Sequence, residues 1–417
     1  MGKWVKDRLD SLGDIVAGGT PSTNVDAYWD GEIPFVTPYD LSKCAGVWID
    51  KTARYITKAG LKNSAANLLP PQSIVISTRA PIGYIALTLE PSVSNQGCKS
   101  VVLKEDQDKV FHCYNLSAYV GEMKRLGVGT TFSEISKADL SRIKVCHPVS
   151  LDEQRHIAEI LTTCDEVIEK SEAVAEKYRA IKAGMLKDLF TRGIGRNGKL
   201  RPTPESAPQH YKDTALGKVP REWEVKRLGS VCFPPQYGLN VAAVKYDGKH
   251  GYLRITDIDD ESHLFIRQGI TSPSMYEEIY RAQEGDVFFA RTGASTGKTY
   301  LYRAEDGELY FAGFLIKFHC KERVNSAYVF YQTLTTRYMN WVSAVSTRTG
   351  QPGINSQELS TFRMAIPSDP AEQRQIAERL SAIDAKIADE LAVIAKYRKV
   401  KAGLMARLLT PPNMEVE

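Results

Sequence analysis

The stretch RTGASTGKT at residues 291–299 follows the apolar run DVFFA and holds the residue types that cradle a phosphate. Glycines let backbone N–H groups converge, a lysine supplies charge and a threonine supplies a hydroxyl. A nucleotide-binding loop, however, needs G-x-x-x-x-G-K-[ST] between a strand and a helix, because the helix amides help to hold the phosphates. Here three residues rather than four separate Gly293 from Gly297, and Thr292 stands where the motif wants glycine. The TYLYRAEDGELYFAGF that follows is β-like with a turn, and STRAPIGYIAL (77–87), at the equivalent point of a first copy, shares the arginine without Gly-Lys-Thr. The stretch therefore reads as a strand-to-strand loop whose Arg291 and Lys298 suit the phosphates or base edges of DNA.

Other chemistries have weaker support. An adenine-methylating site wants Asp or Asn before Pro-Pro and an aromatic directly after, and neither FPPQY (233–237) nor TPPNM (410–414) has both. The seven histidines are dispersed without metal-ligand spacing. The seven cysteines (44, 98, 113, 146, 164, 232 and 320) form no C-x-x-C pair, which fits a reducing cytoplasm. No secretory leader and no apolar run long enough to span a bilayer is visible, so no membrane association is expected. A net charge of +4, with 43% hydrophobic and 25% charged residues, fits a globular protein that meets nucleic acid through local patches.

The elements that must position such loops are written twice. EQRHIAEILTTCDEVIEKSEAVAEKYRAIKAG (153–184) recurs without a gap as EQRQIAERLSAIDAKIADELAVIAKYRKVKAG (372–403). Upstream of each, GTTFSEISKADLSRIKVCHP (129–148) matches RTGQPGINSQELSTFRMAIP (348–367), and PFVTPYDL (34–41) recurs loosely as GYLRITDI (251–258). Ser150 and Glu153 spell a capping box; Asp369, Pro370 and Glu372 repeat its logic. Apolar residues then step by three and four: Ile157, Leu161, Cys164, Ile168, Ala175, Tyr178, Ile181, Met185 and Leu189, against Ile376, Leu380, Ile383, Ile387, Leu391, Ile394, Tyr397, Val400, Leu404 and Leu408. A stripe that long predicts a coiled-coil seam, each helix a rod of roughly 60 Å. A pseudo-twofold relation would pair the helices antiparallel, with one globular domain at each end. Gly184 and Gly403 recur at matching positions, and helical glycine costs up to about 1 kcal/mol, which suggests a close approach to the other helix or to a partner.

The fold class expected is α+β: two globular recognition domains separated by a long antiparallel two-helix coiled coil, as a pseudo-twofold internal repeat. The boundaries read as 1–150 for the first recognition domain, 151–192 for a central helix and 193–222 for a Gly/Pro-rich linker. The second recognition domain follows at 223–369 and a C-terminal helix at 370–410.

With these features together, the chain resembles the DNA-specificity subunit of type I restriction-modification enzymes. The resemblance is carried by GGTPSTNVDAYWDGEIPFVTPYDL (18–41), SNQG (94–97), the two EQR-x-IAE helices with their Y-R-x-x-K-A-G endings, and LGKVPREWEVKRLGSV (216–231). It implies a non-catalytic protein of the bacterial or archaeal cytoplasm, whose two recognition domains each read half of a bipartite, asymmetric site in double-stranded DNA. The resemblance further implies that the helices fix the gap between half-sites and dock two modification (methyltransferase) subunits, with restriction subunits completing the assembly. It implies no cofactor in this chain, with S-adenosylmethionine and ATP on the partner subunits. A stand-alone DNA-binding coiled-coil adaptor without a methyltransferase partner is the alternative.

Residue types that bond phosphates or base edges pick out candidate DNA contacts in probable loops. They are Thr20, Ser22, Thr37, Tyr39, Arg79, Lys99 and Thr131 in the first unit, and Arg254, Thr256, Arg291, Thr292, Lys298 and Arg348 in the second. For the seam or a partner the candidates are Ile157, Leu161, Ile168, Tyr178 and Gly184, with Ile376, Leu380, Ile387, Tyr397 and Gly403.

Overall fold

Short β-branched and aromatic runs punctuated by turns make strands, and here they make two similar sets. In the computed structural model, which describes residues 3–44, 46–127, 134–347 and 351–411, these sets belong to two compact units. The first unit comprises residues 1–174 and 390–417, the second 175–389. The division thus falls inside both long helices, Leu151–Thr191 and Pro370–Leu408, so each unit owns the beginning of one helix and the end of the other.

In the first unit the buried strand Ile74–Ser77 lies at the centre of a five-stranded sheet, flanked by Cys98–Leu103 and Ile85–Thr88, with Gly13–Ala17 and Trp48–Ile49 at the edges. A smaller sheet pairs Trp29–Val36 antiparallel with Arg54–Ile56 and parallel with Val93–Ser94. In the second unit Asp286–Ala290 is buried at every position and runs between Thr299–Leu301 and Leu315–His319, both antiparallel. A parallel pair recurs as Gly251–Leu253 with Leu309–Phe311. Each unit is closed beside its helix by one antiparallel pair, Trp4–Arg8 with Lys144–Pro148 and Trp223–Arg227 with Arg363–Pro367.

The strap from helix to globular portion is the glutamine of each EQR motif. Gln154, fully buried, donates to the Pro148 carbonyl at 2.9 Å, and its Oε1 accepts from the Asp108 N–H at 2.8 Å. Gln373 does the same with Pro367 and with the Asn325 N–H, both at 2.9 Å. Asp108 and Asn325 are themselves the N-caps of Lys109–Ser117 and Ser326–Gln332, so one side chain ties helix, strand end and cap together. Glu372 departs from the expected capping box. Asp369 caps the Ala371 N–H, while Glu372 turns away to accept from the Ile194 N–H (2.8 Å) and Trp223 Nε1 (3.2 Å) and to pair with Arg201.

Those contacts give residues 193–222 a fixed structure in the second unit. Tyr211–Thr214 and Gly217–Pro220 form a hairpin, and Ile194 and Val219 are buried in the core around Trp223.

Within each unit the two helix portions run antiparallel. In the first, Asp165 pairs with Lys401 and Glu172 with Arg398; in the second, Lys182 pairs with Asp384 and Lys386 lies over the Tyr178 ring. Ile157 and Leu161 pack with Leu409 in the first core, Ile376 and Leu380 with Leu189 in the second. Ile168, Tyr178, Ile387 and Tyr397 are half-buried. The seam is narrower than the sequence stripe: Ile181, Leu391 and Val400 are exposed. A straight helix drifts about 20° per heptad against a 3.5 repeat, so the flanks of a long stripe swing off a single neighbouring helix. The expected close approach at the repeated glycines is also absent among the described residues. Gly184 and Gly403 are exposed, and a Cβ built on either meets nothing within 4 Å, because both positions face away from the neighbouring helix.

Candidate nucleic-acid interface

In the first unit the candidate loops converge. Gly18 and Gly19 run so close to Asn95 and Ala65 that any side chain would strike backbone, with Cβ contacts of 1.9 and 2.3 Å. That approach lays Thr20 against Gln96 of the SNQG loop, where the two side chains hydrogen-bond. Ser22 is exposed nearby, its carbonyl accepting from Trp29 Nε1 at 3.0 Å. Thr37 is the N-cap of the short helix Pro38–Lys43 in a capping box with Asp40, so its hydroxyl is occupied and its role is to present Tyr39, which is 62% exposed. A Cβ built on Gly97 would meet both Pro38 and Arg79, at 3.6 and 3.7 Å, so this helix, the SNQG loop and the arginine lie side by side.

The two cations there are committed. Glu134 accepts from Arg79 Nε at 2.8 Å and from Lys99 Nζ at 3.1 Å, and Lys99 is buried. Partial burial raises the Glu134 carboxyl, but the bonds from Arg79 and Lys99 outweigh it and hold the group below its ordinary range.

The second unit repeats the plan with other chemistry. Arg254 and Asp257 stand where Thr37 and Asp40 do, and the arginine forks onto Asp257 at 2.8 and 2.7 Å. Thr256 is exposed on the turn so formed. Lys298 is held at 2.6 Å by Asp260. Arg291 follows the core strand one position before the residue that matches Arg79 in register: Thr292 bridges to Gly353, the counterpart of Glu134 in the repeat, as Arg79 bridges to Glu134. With glycine in place of the acid, Arg291 has no carboxylate partner among the described residues. Its guanidinium lies 5.1 Å from the Tyr237 ring centre, and its Nε is buried without a hydrogen bond. Tyr237 is fixed in turn by its hydroxyl on the Ser356 N–H at 3.0 Å.

RTGASTGKT is the loop of an antiparallel hairpin. Gly293 and Gly297 take positive φ (77° and 85°), and the chain returns as the strand Thr299–Leu301, leaving no helix amides to hold a phosphate chain. Thr131 and Arg348 lie outside the described residues. Sequence reasoning missed Tyr237, Gln96 and Glu134. The second and third were within reach, since Gln96 lies in the SNQG motif and Glu134 in the aligned repeat opposite a glycine.

The fold and these surfaces define a duplicated protein in which one framework carries two different polar loop sets. The family model for the type I restriction modification DNA specificity domain matches residues 1–177 and 220–395, and the chain belongs to that family. It is 29% identical over 230 residues to the type I restriction enzyme MjaIX specificity subunit of Methanocaldococcus jannaschii, a match covering 55% of this chain and 51% of the relative. The chain thus spans about half the length of that relative. The MjaVIII specificity subunit of the same organism is 23% identical over 423 residues, 98% of this chain and 92% of the relative. Among solved structures, the S subunit of a type I restriction-modification system from M. genitalium superposes with a TM-score of 0.65 at 16% identity, covering 99% of this chain and 97% of that one, which shows a shared fold.

Proposed function

We propose that this chain is the DNA-reading subunit of a type I restriction-modification assembly and performs no bond-breaking chemistry itself. Each unit reads one half of a bipartite, asymmetric site in double-stranded DNA, and the helices set the gap between the halves. Exposed helix positions, Gly184 and Gly403 among them, dock two modification subunits that bring S-adenosylmethionine, and restriction subunits bring ATP. Family membership supports the class of function.

The observation that carries the two-reader form is the contrast at one equivalent position. Glu134 holds Arg79 and Lys99 in the first unit, whereas Gly353 leaves Arg291 with Tyr237 in the second. An arginine with uncommitted donors forks onto guanine edges or phosphates, while one tied to a carboxylate presents a mixed donor and acceptor surface. Two such surfaces select different bases, so the target is asymmetric. Of the candidate contacts, Thr20, Tyr39, Arg79, Thr256 and Arg291 are the side chains best placed to reach DNA, with Thr37, Lys99, Arg254 and Lys298 holding the surface beneath them.

Mapping methylated adenines in cells that carry this chain with its modification subunit tests the reading. Replacing residues 1–150 by the matching part of a relative should change one half of the mapped sequence; a change in both halves overturns the two-reader form. Co-purification without any methyltransferase would favour the stand-alone adaptor.

A further inference from the structure

A second surface of the second unit lies on the helix Thr336–Ser346, which packs on the Arg291 loop through the Tyr338 hydroxyl on the Gly297 carbonyl at 2.9 Å. Two cavities of about 370 and 530 Å³ adjoin there, and both are lined by Leu216 and Arg337. The smaller is walled by Trp341 and Phe362, with Arg227 and Arg363 at its rim. The larger is floored by Leu186, Phe190 and Val219, with Lys187 and Lys218 beside them. Neither lining contains an aspartate or a glutamate. Lys218 has its own partner in Asp213, but Arg227, Arg337 and Arg363 reach no carboxylate among the described residues.

Arg337 matters most, because it sits where the cavities meet. Its guanidinium bonds only the Gln332 Oε1 at 3.2 Å and lies over the Phe362 ring at 5.6 Å. Desolvation draws its pKa below the ordinary arginine value. Taking a cation out of water without a counter-ion is costly, and a fold retains one readily when something from outside supplies the charge. Arg337 and Trp341 fall one turn apart on the helix Thr336–Ser346, so both line the same cavity.

We propose that this groove docks a short acidic segment of a partner protein, carrying one large apolar side chain flanked by carboxylates. The apolar side chain fills the cavity above Leu186 and Phe190, and a carboxylate forks onto Arg337 while a second meets Arg227 and Arg363. Charge and shape both select this occupant. A DNA backbone would satisfy the rim cations but leave the apolar floor wet, since phosphates have nothing to bury in a cavity of this size. The first unit has Ala118, Tyr119 and Val120 around the point where the second has Arg337, so the arginine anchor belongs to the second unit and one copy of the partner is expected per chain.

The test uses the full chain and a fluorescein-labelled peptide with a Leu-Phe core between pairs of glutamates, followed by fluorescence anisotropy at low salt. Saturable binding at one peptide per chain is expected, weakened about tenfold or more by Arg337→Gln, as for loss of a charged hydrogen bond. Arg363→Gln, at a more exposed position, should weaken it in the same direction with an unchanged melting temperature. A lysine-for-glutamate peptide should not bind. Absence of saturable binding overturns the proposal, as do peptide affinities unchanged in both variants. Variants that lose duplex DNA and keep the peptide would show instead that the groove serves the nucleic acid.

Discussion

Lys182 and Asp384 form an ion pair of 2.6 Å across the two helix portions of the second unit, and Tyr331 donates its hydroxyl to the same carboxylate at 2.8 Å. The first unit has the identical trio in Lys401, Asp165 and Tyr114. Each lysine and each aspartate is 219 positions from its counterpart, so the repeat conserves a cross-helix lock as well as an apolar stripe. Burial pushes both tyrosine hydroxyls up, which keeps them protonated as donors. An apolar seam alone tolerates slippage by a turn; a partly buried charge pair does not, because a shifted register strands both ions.

Asp384→Asn should therefore lower stability by about 1–3 kcal/mol, the cost of leaving a mostly buried donor unsatisfied. Chemical denaturation measures it, and Asp165→Asn should cost a similar amount. A loss under about 0.5 kcal/mol in both would mean that the pairs are ornamental surface bridges.

Gln373→Leu removes a side chain that satisfies two backbone groups at once. Leaving the Asn325 N–H and the Pro367 carbonyl without it should cost about 1–3 kcal/mol for each group. Hydrogen exchange would localise the damage to the start of the helix Ser326–Gln332 rather than to the helix seam.

Gly353→Glu would give the second unit the acid that the first already has. A Cβ built there meets, among the described residues, the Arg291 carbonyl oxygen at 3.4 Å. By engaging Arg291 it should weaken DNA binding by about 1–3 kcal/mol, roughly 5- to 150-fold, at the second half-site. Binding competition with duplexes altered in one half at a time checks this; equal loss at both halves would contradict it.

His112 is fully buried, with Nε2 on Gln107 and Nδ1 without a hydrogen bond, and burial pulls its pKa from 6.5 down to about 3. Below pH 6.5 the unfolded chain takes up a proton that the folded chain refuses, so stability falls as pH drops from 6.5 towards 3. His112→Leu should flatten that part of the stability curve while leaving the neutral-pH melting temperature within a few degrees. An unchanged acid slope in the variant would place the sensitivity elsewhere.

The helices were legible because periodicity accumulates over many turns and the two copies corroborate each other. The antiparallel pairing followed from symmetry. What symmetry could not reveal was how much of each stripe a single neighbour covers, hence the exposed Ile181, Leu391 and Val400. At the loops the sequence names residue types but not their commitments. Lys99, Arg254 and Lys298 look alike as cations and each is held by an acid, Arg254 by Asp257 three residues on, but Lys99 by Glu134 at 35 residues and Lys298 by Asp260 at 38. Arg337 escaped notice because its interest lies in the lack of a partner, a property of packing.

The straps at Gln154 and Gln373 lie inside the EQR-x-IAE stretches that the two copies share, whereas in each unit the loops that differ lie upstream of its own strap. Each strap is therefore the boundary at which differing loops give way to shared framework, and it holds the N–H of the cap before it, Asp108 or Asn325. Loops upstream of that boundary can differ while the bonds that seat each unit on its helix stay the same.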